Sequence, residues 1–318
     1  MPLPDHLEAI RAKVSNWGRW GDDDQLGTGN LLTPEAAQRG AAAVRSGRRF
    51  SLAVNLDLNG PQVGQPARRM NAFLTLTTQN ERDPAAPGMW AGTDDLVTMS
   101  TAAGTHIDCL SHVTYDDLMY NGFPASNVTA SAGAITCGAE TLPEIVTRGV
   151  LLDVARVKGV DGLDEVDPAY AITGDDLDAA AHRAGVEVQS GDAVLVRTGY
   201  MRHFKAGRRK LYASGDQYRI PGLSMRSVEW MHDHDVAAAF VDTYAYEVFP
   251  PSSPDWSDTL AVHMLQIRDM GLIQGQNWDL EALAADCAVD GQHDMLLLAA
   301  PEPITGASST PVNPVAVK

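Results

Sequence analysis

Cysteine is scarce in this sequence: three residues, Cys109, Cys137 and Cys287, with no Cys-x-x-Cys spacing. An odd, scattered set suggests neither a disulfide framework nor a thiolate zinc site, and a reducing cytoplasm is the compartment that fits. Long apolar runs are missing too. No stretch approaches the ~20 consecutive apolar residues of a membrane helix, and the opening residues hold no signal-like apolar segment. Positive charge is in deficit, 24 Lys and Arg against 41 Asp and Glu, and a net charge of −17 repels phosphate backbones and anionic headgroups. Neither nucleic acid nor a membrane is the expected partner. Repeats and low-complexity segments are absent as well. What is present is an ordinary globular composition, 44% hydrophobic and 20% charged over 318 residues. That length suits one large domain or two closely packed ones.

Strand-like and helix-like segments alternate to the end of the chain, which favours a mixed α/β fold. Residues 1–48 read as an amphipathic helix, an aromatic turn region and a second helix begun by Thr33-Pro34-Glu35. Apolar strands are expected at 48–54, 73–77, 149–154, 193–199, 237–242, 272–273 and 295–300. Helices are expected at 173–185, 224–234, around His263 and at 279–286. Residues 79–95 form a polar, Pro-rich excursion of the length that often serves as a lid.

Metal-capable side chains concentrate in Gly104-Thr105-His106-Ile107-Asp108-Cys109-Leu110-Ser111-His112. On an extended segment, His106 and Asp108 at i and i+2 point to the same side, so an imidazole nitrogen and a carboxylate oxygen can converge on one cation. A third ligand must come from far away in sequence. Gly104 allows close backbone approach, and His112 is placed to shuttle protons or to support the ligands. Cys109 has no cationic neighbour in sequence and reads as packing. The run His232-Asp233-His234-Asp235 alternates metal-capable groups but sits at a helix end, where a solvated surface is expected. His6, His182, His203 and His293 also read as surface residues.

The segment Gly104-Thr105-His106-Ile107-Asp108 followed by His112 resembles the His-x-Gly-Thr-His-x-Asp-x-x-x-His signature of the cyclase superfamily, which includes bacterial kynurenine formamidases, isatin hydrolases and trans-dienelactone hydrolases. The likeness extends over most of the chain, through Asn16-Trp17-Gly18-Arg19-Trp20-Gly21, Asn30-Leu31-Leu32-Thr33-Pro34, Tyr120-Asn121-Gly122, Thr147 to Asp153, Gly191 to Gly199 and Pro311 to Ala316. It implies one swivelling β/β/α-type domain over residues 1–318, with mixed sheets, flanking helices and residues 1–48 packed on as an extension. It also implies a homo-oligomer, dimer or tetramer, and a metal-dependent hydrolase of a formamide, cyclic imide or lactone.

Carried over by position, the resemblance makes His106, Asp108 and His263 metal ligands and His112 the proton carrier. Two positions depart from the pattern: the first signature histidine is Ala102, and the distal glutamate is Gln276. An amide oxygen can ligate a metal but brings no charge and no basicity at pH 7. The remaining set, His106, Asp108, His263 and Gln276, implies one divalent cation, Zn²⁺ or Mn²⁺ equally, rather than two. A metal-independent cyclase or dehydratase using His106, Asp108 and His112 is the alternative, and a silent ligand-binding homologue a third. Trp17, Trp20 and Tyr120 are candidates for an aromatic substrate wall or for packing. Arg197 is a candidate carboxylate clamp or a structural ion pair, and Asp242 or Glu247 a partner for His263 or a turn cap.

Overall fold

The computed structural model describes residues 3–64, 67–85, 88–253 and 256–318. Its centre is a nine-stranded mixed sheet in the order Arg49–Ser51, Val315–Val317, Asp294–Ala299, Ile145–Asp153, Ala193–Arg197, Ala238–Val241, Ile273–Gln276, His106–Asp108 and Ser309–Pro311. The four strands from Ile145–Asp153 to Ile273–Gln276 run parallel, and the flanking pairs are antiparallel. The parallel strands are near-continuous apolar runs because both faces are covered. Val150, Leu152, Val194, Val196, Ala239 and Val241 join one core with helices Asp5–Val14, Gly174–Ala184 and Val228–Asp233. Their alternates Leu151, Ala193, Leu195, Ala238 and Phe240 face helix Glu281–Asp290 and the inner side of the curled sheet.

Local chemistry sets several boundaries. Thr33 caps helix Pro34–Ala42 by accepting from the Ala36 N–H. Thr173 and Asp176 form a reciprocal capping box ahead of helix Gly174–Ala184. Cys109, Cys137 and Cys287 are buried free thiols. No described helix is long and apolar enough to cross a membrane.

Three expectations need correction. The excursion at 79–95 carries the ends of a β-hairpin, in which Phe73–Glu81 pairs antiparallel with Gly92–Thr98; Ala86 and Pro87 lie outside the described residues. The second strand was illegible because Asp94 and Asp95 interrupt its apolar pattern. Two short strands follow 295–300, where Pro311 and Pro314 read as loop. His203, expected on the surface, is buried, and its Nε2 is hydrogen-bonded to Asp164 Oδ2 at 2.8 Å.

Candidate active site

The site grows from strand register. His106–Asp108 lies between Ile273–Gln276 and Ser309–Pro311, with Gln276 opposite His106 and Gln274 opposite Asp108. Because residues two apart share a face, these four side chains meet on one side of the sheet, while Ile107 enters the opposite core. Gly275 permits the pairing: a Cβ there would stand 2.4 Å from the His106 carbonyl oxygen. The helix Ala261–His263, continuing as a π-helical turn Met264–Met270, packs over the same face through Ala261, Val262 and Leu265 and delivers His263. His112 follows the strand and returns to Asp108.

Three imidazoles therefore surround one carboxylate. His106 Nε2 and His112 Nε2 stand 3.5 and 3.6 Å from Asp108 Oδ1, and His263 Nε2 stands 3.9 Å from Oδ2. Each ring is oriented from behind. His106 Nδ1 donates to the Gly104 carbonyl oxygen at 2.8 Å, His263 Nδ1 donates to Glu247 Oε1, and His112 hydrogen-bonds the Ser308 backbone. With Nδ1 carrying the proton, the Nε2 atoms of His106 and His263 present lone pairs to the carboxylate. Burial lowers the pKa of His106 to about 4 and lowers that of His112, against the opposing pull of Asp108. Burial alone would raise the Asp108 carboxyl, but the surrounding imidazoles and Arg69 hold it well below its usual range. At pH 7 the group is thus two neutral imidazoles beside an ionised carboxylate.

The two carboxylate oxygens have different environments. Gln276 Nε2 donates to Asp108 Oδ2 at 2.6 Å and lies 3.2 Å from His263 Nε2, so one amide supplies N–H groups to two acceptors. Gln274 Nε2 adds a long contact to Oδ2 at 3.4 Å. On the other side, Asp108 Oδ1 and His106 Nε2 are buried without any hydrogen-bond partner. Among the described residues, no three His, Cys, Asp or Glu side chains are assembled as a metal cage. At the cluster itself, Gln276 directs a donor to the Asp108 and His263 acceptors.

Above the cluster opens a cavity of about 480 Å³, lined by His112, His263, Gln276 and Arg69 and otherwise mainly by apolar groups such as Tyr218, Ile220, Phe249 and Trp256. The remaining sequence candidates lie elsewhere. Trp17 donates its indole N–H to the Arg268 carbonyl oxygen and stacks on that guanidinium, Trp20 lies against Arg19, and Tyr120 is buried with its hydroxyl donating to Asp24. Arg197 is held bidentate by Glu281 and singly by Asp153, so it serves as an internal ion pair. Of the two candidate partners for His263, the structure selects Glu247; Asp242 instead accepts from Thr198 and Gly199. The His232–Asp235 run forms surface contacts, with His234 stacked on Trp230 and Asp235 paired to Arg19. Gly104 presents its carbonyl oxygen to His106 Nδ1, and a Cβ there would stand 2.8 Å from Leu56 Cδ2. Sequence reasoning missed Arg69, Gln274 and the cavity wall, which are scattered over loops and strands with no common motif.

A mixed sheet carrying a buried His/Asp/His cluster beneath a cavity defines an α/β protein with its candidate site on one face of the sheet. The family model described as "Putative cyclase" matches residues 50–248, and the chain belongs to that family. Over 97% of this chain and 99% of the other, the fold is similar to a crystal structure described as a novel cyclase, at 34% identity and a TM-score of 0.85. Isatin hydrolase A from Labrenzia aggregata is similar at 17% identity and a TM-score of 0.61, over 87% of this chain and 94% of that one. A predicted metal-dependent hydrolase from Bacillus stearothermophilus is similar at 15% identity and a TM-score of 0.51, over 85% and 97%. Comparison with curated proteins finds no match.

Proposed function

We propose that this chain hydrolyses a small cyclic or acyl amide or ester, such as a formamide, cyclic imide or lactone, with one divalent cation, zinc or manganese. One observation carries the reading: His106 Nε2 and Asp108 Oδ1 face each other at 3.5 Å, buried, with no donor between them. Two opposed buried lone pairs repel unless a cation or a proton lies between them, and His106 is neutral at pH 7. The residues present fit one ion and not two. His106 and Asp108 Oδ1 would hold it, with His112 closing the cavity side, while the Gln276 amide fills the Oδ2 side.

Such an ion, when bound, would lower the pKa of water towards ~7 and polarise a carbonyl. The chain's own residues supply the rest. Asp108, ionised, anchors the cluster, and the Gly104 carbonyl fixes the His106 ring. His112 has 22% of its side chain exposed and lines the cavity, so it touches substrate. Neutral at pH 7, it accepts a proton from the nucleophilic water and returns it to the leaving nitrogen or oxygen, a role typically contributing on the order of 10²–10⁴-fold. The apolar cavity wall limits competing water. Residues 1–318 act as one unit in this reading, in a cytoplasmic homo-oligomer whose partner is a small-molecule substrate.

Metal content per chain, measured by plasma mass spectrometry on protein offered Zn²⁺ or Mn²⁺, tests the reading. About one equivalent, lost on His106→Ala, with chelator-sensitive turnover of a formamide, imide or lactone panel, is expected. Substoichiometric metal would overturn it. Turnover that survives chelator but not His112→Ala would establish a metal-independent cyclase or dehydratase instead, and ligand binding without turnover a silent homologue.

A further inference from the structure

Arg69 stands apart from the other arginines withdrawn from solvent. Arg39, Arg148, Arg197, Arg202, Arg209 and Arg268 each donate to a carboxylate or a backbone carbonyl. Arg69, also partly buried, has no hydrogen bond or ion pair among the described residues, in a chain with 41 acidic side chains to choose from. It lines the cavity, and its charge acts on His106, Asp108 and His112 without a hydrogen bond or ion pair to any of them. A guanidinium carries five N–H donors in a planar fork, and leaving it unpaired against an apolar wall is costly unless a ligand completes it. The apolar residues that share this cavity lining, such as Tyr218, Ile220, Phe249 and Trp256, offer area but no negative charge.

We propose that Arg69 receives a carboxylate on the substrate, so that the ligand of this cavity is an acidic amide or ester with an apolar, aryl-sized body. The carboxylate docks on the guanidinium fork and the body lies along the aromatic and aliphatic wall. The carbonyl to be attacked then falls at the His112 end. Arg69 is on this view a specificity-determining residue: it selects the anion and sets the register of the substrate, while the Asp108 cluster carries the chemistry. The assignment of a scissile carbonyl rests on the hydrolase reading above; the carboxylate site does not.

Calorimetric binding of 3-phenylpropionate and its neutral isostere 3-phenylpropionamide separates the two. The titrations are run on the full chain in chelator, so that the acid cannot act as a metal ligand. The wild type should prefer the acid by roughly tenfold or more, the range expected of a charge-assisted bidentate contact. Arg69→Gln should abolish that preference while leaving amide binding and the melting temperature unchanged, and Arg69→Lys should restore part of it. Equal affinity for acid and amide, a preference that persists in Arg69→Gln, or no binding of either at millimolar concentration would overturn the proposal. An acid preference in a protein that takes up no metal would retain the carboxylate site and sink the hydrolase reading alone.

Discussion

Gln276 differs from a glutamate by one amide, and under the proposed metal-dependent reading that difference sets how many cations the cluster can take. Its nitrogen lies within reach of both Asp108 Oδ2 and His263 Nε2, so N–H groups stand where two acceptors would otherwise repel. Gln276→Glu removes those donors and adds an acceptor. The expected outcome is a rise in metal content from roughly one to roughly two equivalents per chain when Mn²⁺ or Zn²⁺ is offered. In chelator the variant should lose about 3–5 kcal/mol of stability, from an uncompensated buried charge. Unchanged stoichiometry in a folded variant would refute this account of the amide. Glu247 is a positioning residue by the same reasoning. Its carboxylate accepts from the His263 ring and from the backbone N–H groups of Val262 and His263. Glu247→Ala orphans three donors and should cost on the order of 2–4 kcal/mol in thermal unfolding. Glu247→Gln keeps an acceptor for the ring, so it should retain most of the stability. If both variants unfold alike, the ring contact has little to do with the order of the site.

At the scale of elements, the short helix Met201–Lys205 is fastened to the turn Leu163–Glu165 by two side chains on one acid: Arg202 and His203 both meet Asp164. Burial alone would raise the Asp164 carboxyl, but His203 and Arg202 together bring it below its usual value. A lowered folded-state pKa means the unfolded chain binds the proton more readily. The contribution is therefore complete above about pH 4, the unfolded carboxylate range, and is lost as pH falls through the lower folded value. Urea melts of the wild type and Asp164→Asn should differ by about 1.5–3 kcal/mol at pH 7 and converge as pH drops below 4. A gap independent of pH would show that the carboxylate charge is not what matters. Elements also show what was legible in the sequence. The parallel core strands and the Thr33 and Thr173 caps stood out because apolar runs and cap chemistry are local signals. The pair His106 and Asp108 was legible for the same reason, a two-residue period. The arrival of Gln274 opposite Asp108 was not, because cross-strand register is a long-range property. Neither was the burial of His203, whose partner lies 39 residues away.

At the scale of the whole molecule, one long β-hairpin among the described residues carries much exposed apolar surface. The hairpin Phe73–Glu81 with Gly92–Thr98 forms a separate two-stranded sheet outside the nine-stranded one. In its register Leu74 lies opposite Val97 on one face, and Thr75 opposite Leu96 on the other, with Phe73 two residues from Thr75 on that second face. Leu74, Val97, Phe73 and Leu96 are all about half exposed, so both faces carry apolar surface. A lone two-stranded ribbon is at best marginally stable in water, and its unpaired edges and apolar faces invite another chain. A second copy of the same chain is the partner that the expected homo-oligomer provides, and symmetric association would cover two such arms at once. Light scattering after size exclusion should give at least twice the 34.0 kDa chain mass for the wild type. The pair Leu74→Glu and Leu96→Glu, placing a charge on each face, should shift the mass toward that of one chain while the core sheet keeps its far-ultraviolet circular dichroism. A wild type that runs as a single chain, or a charged double variant that stays assembled, would show that the arm is not what joins the copies.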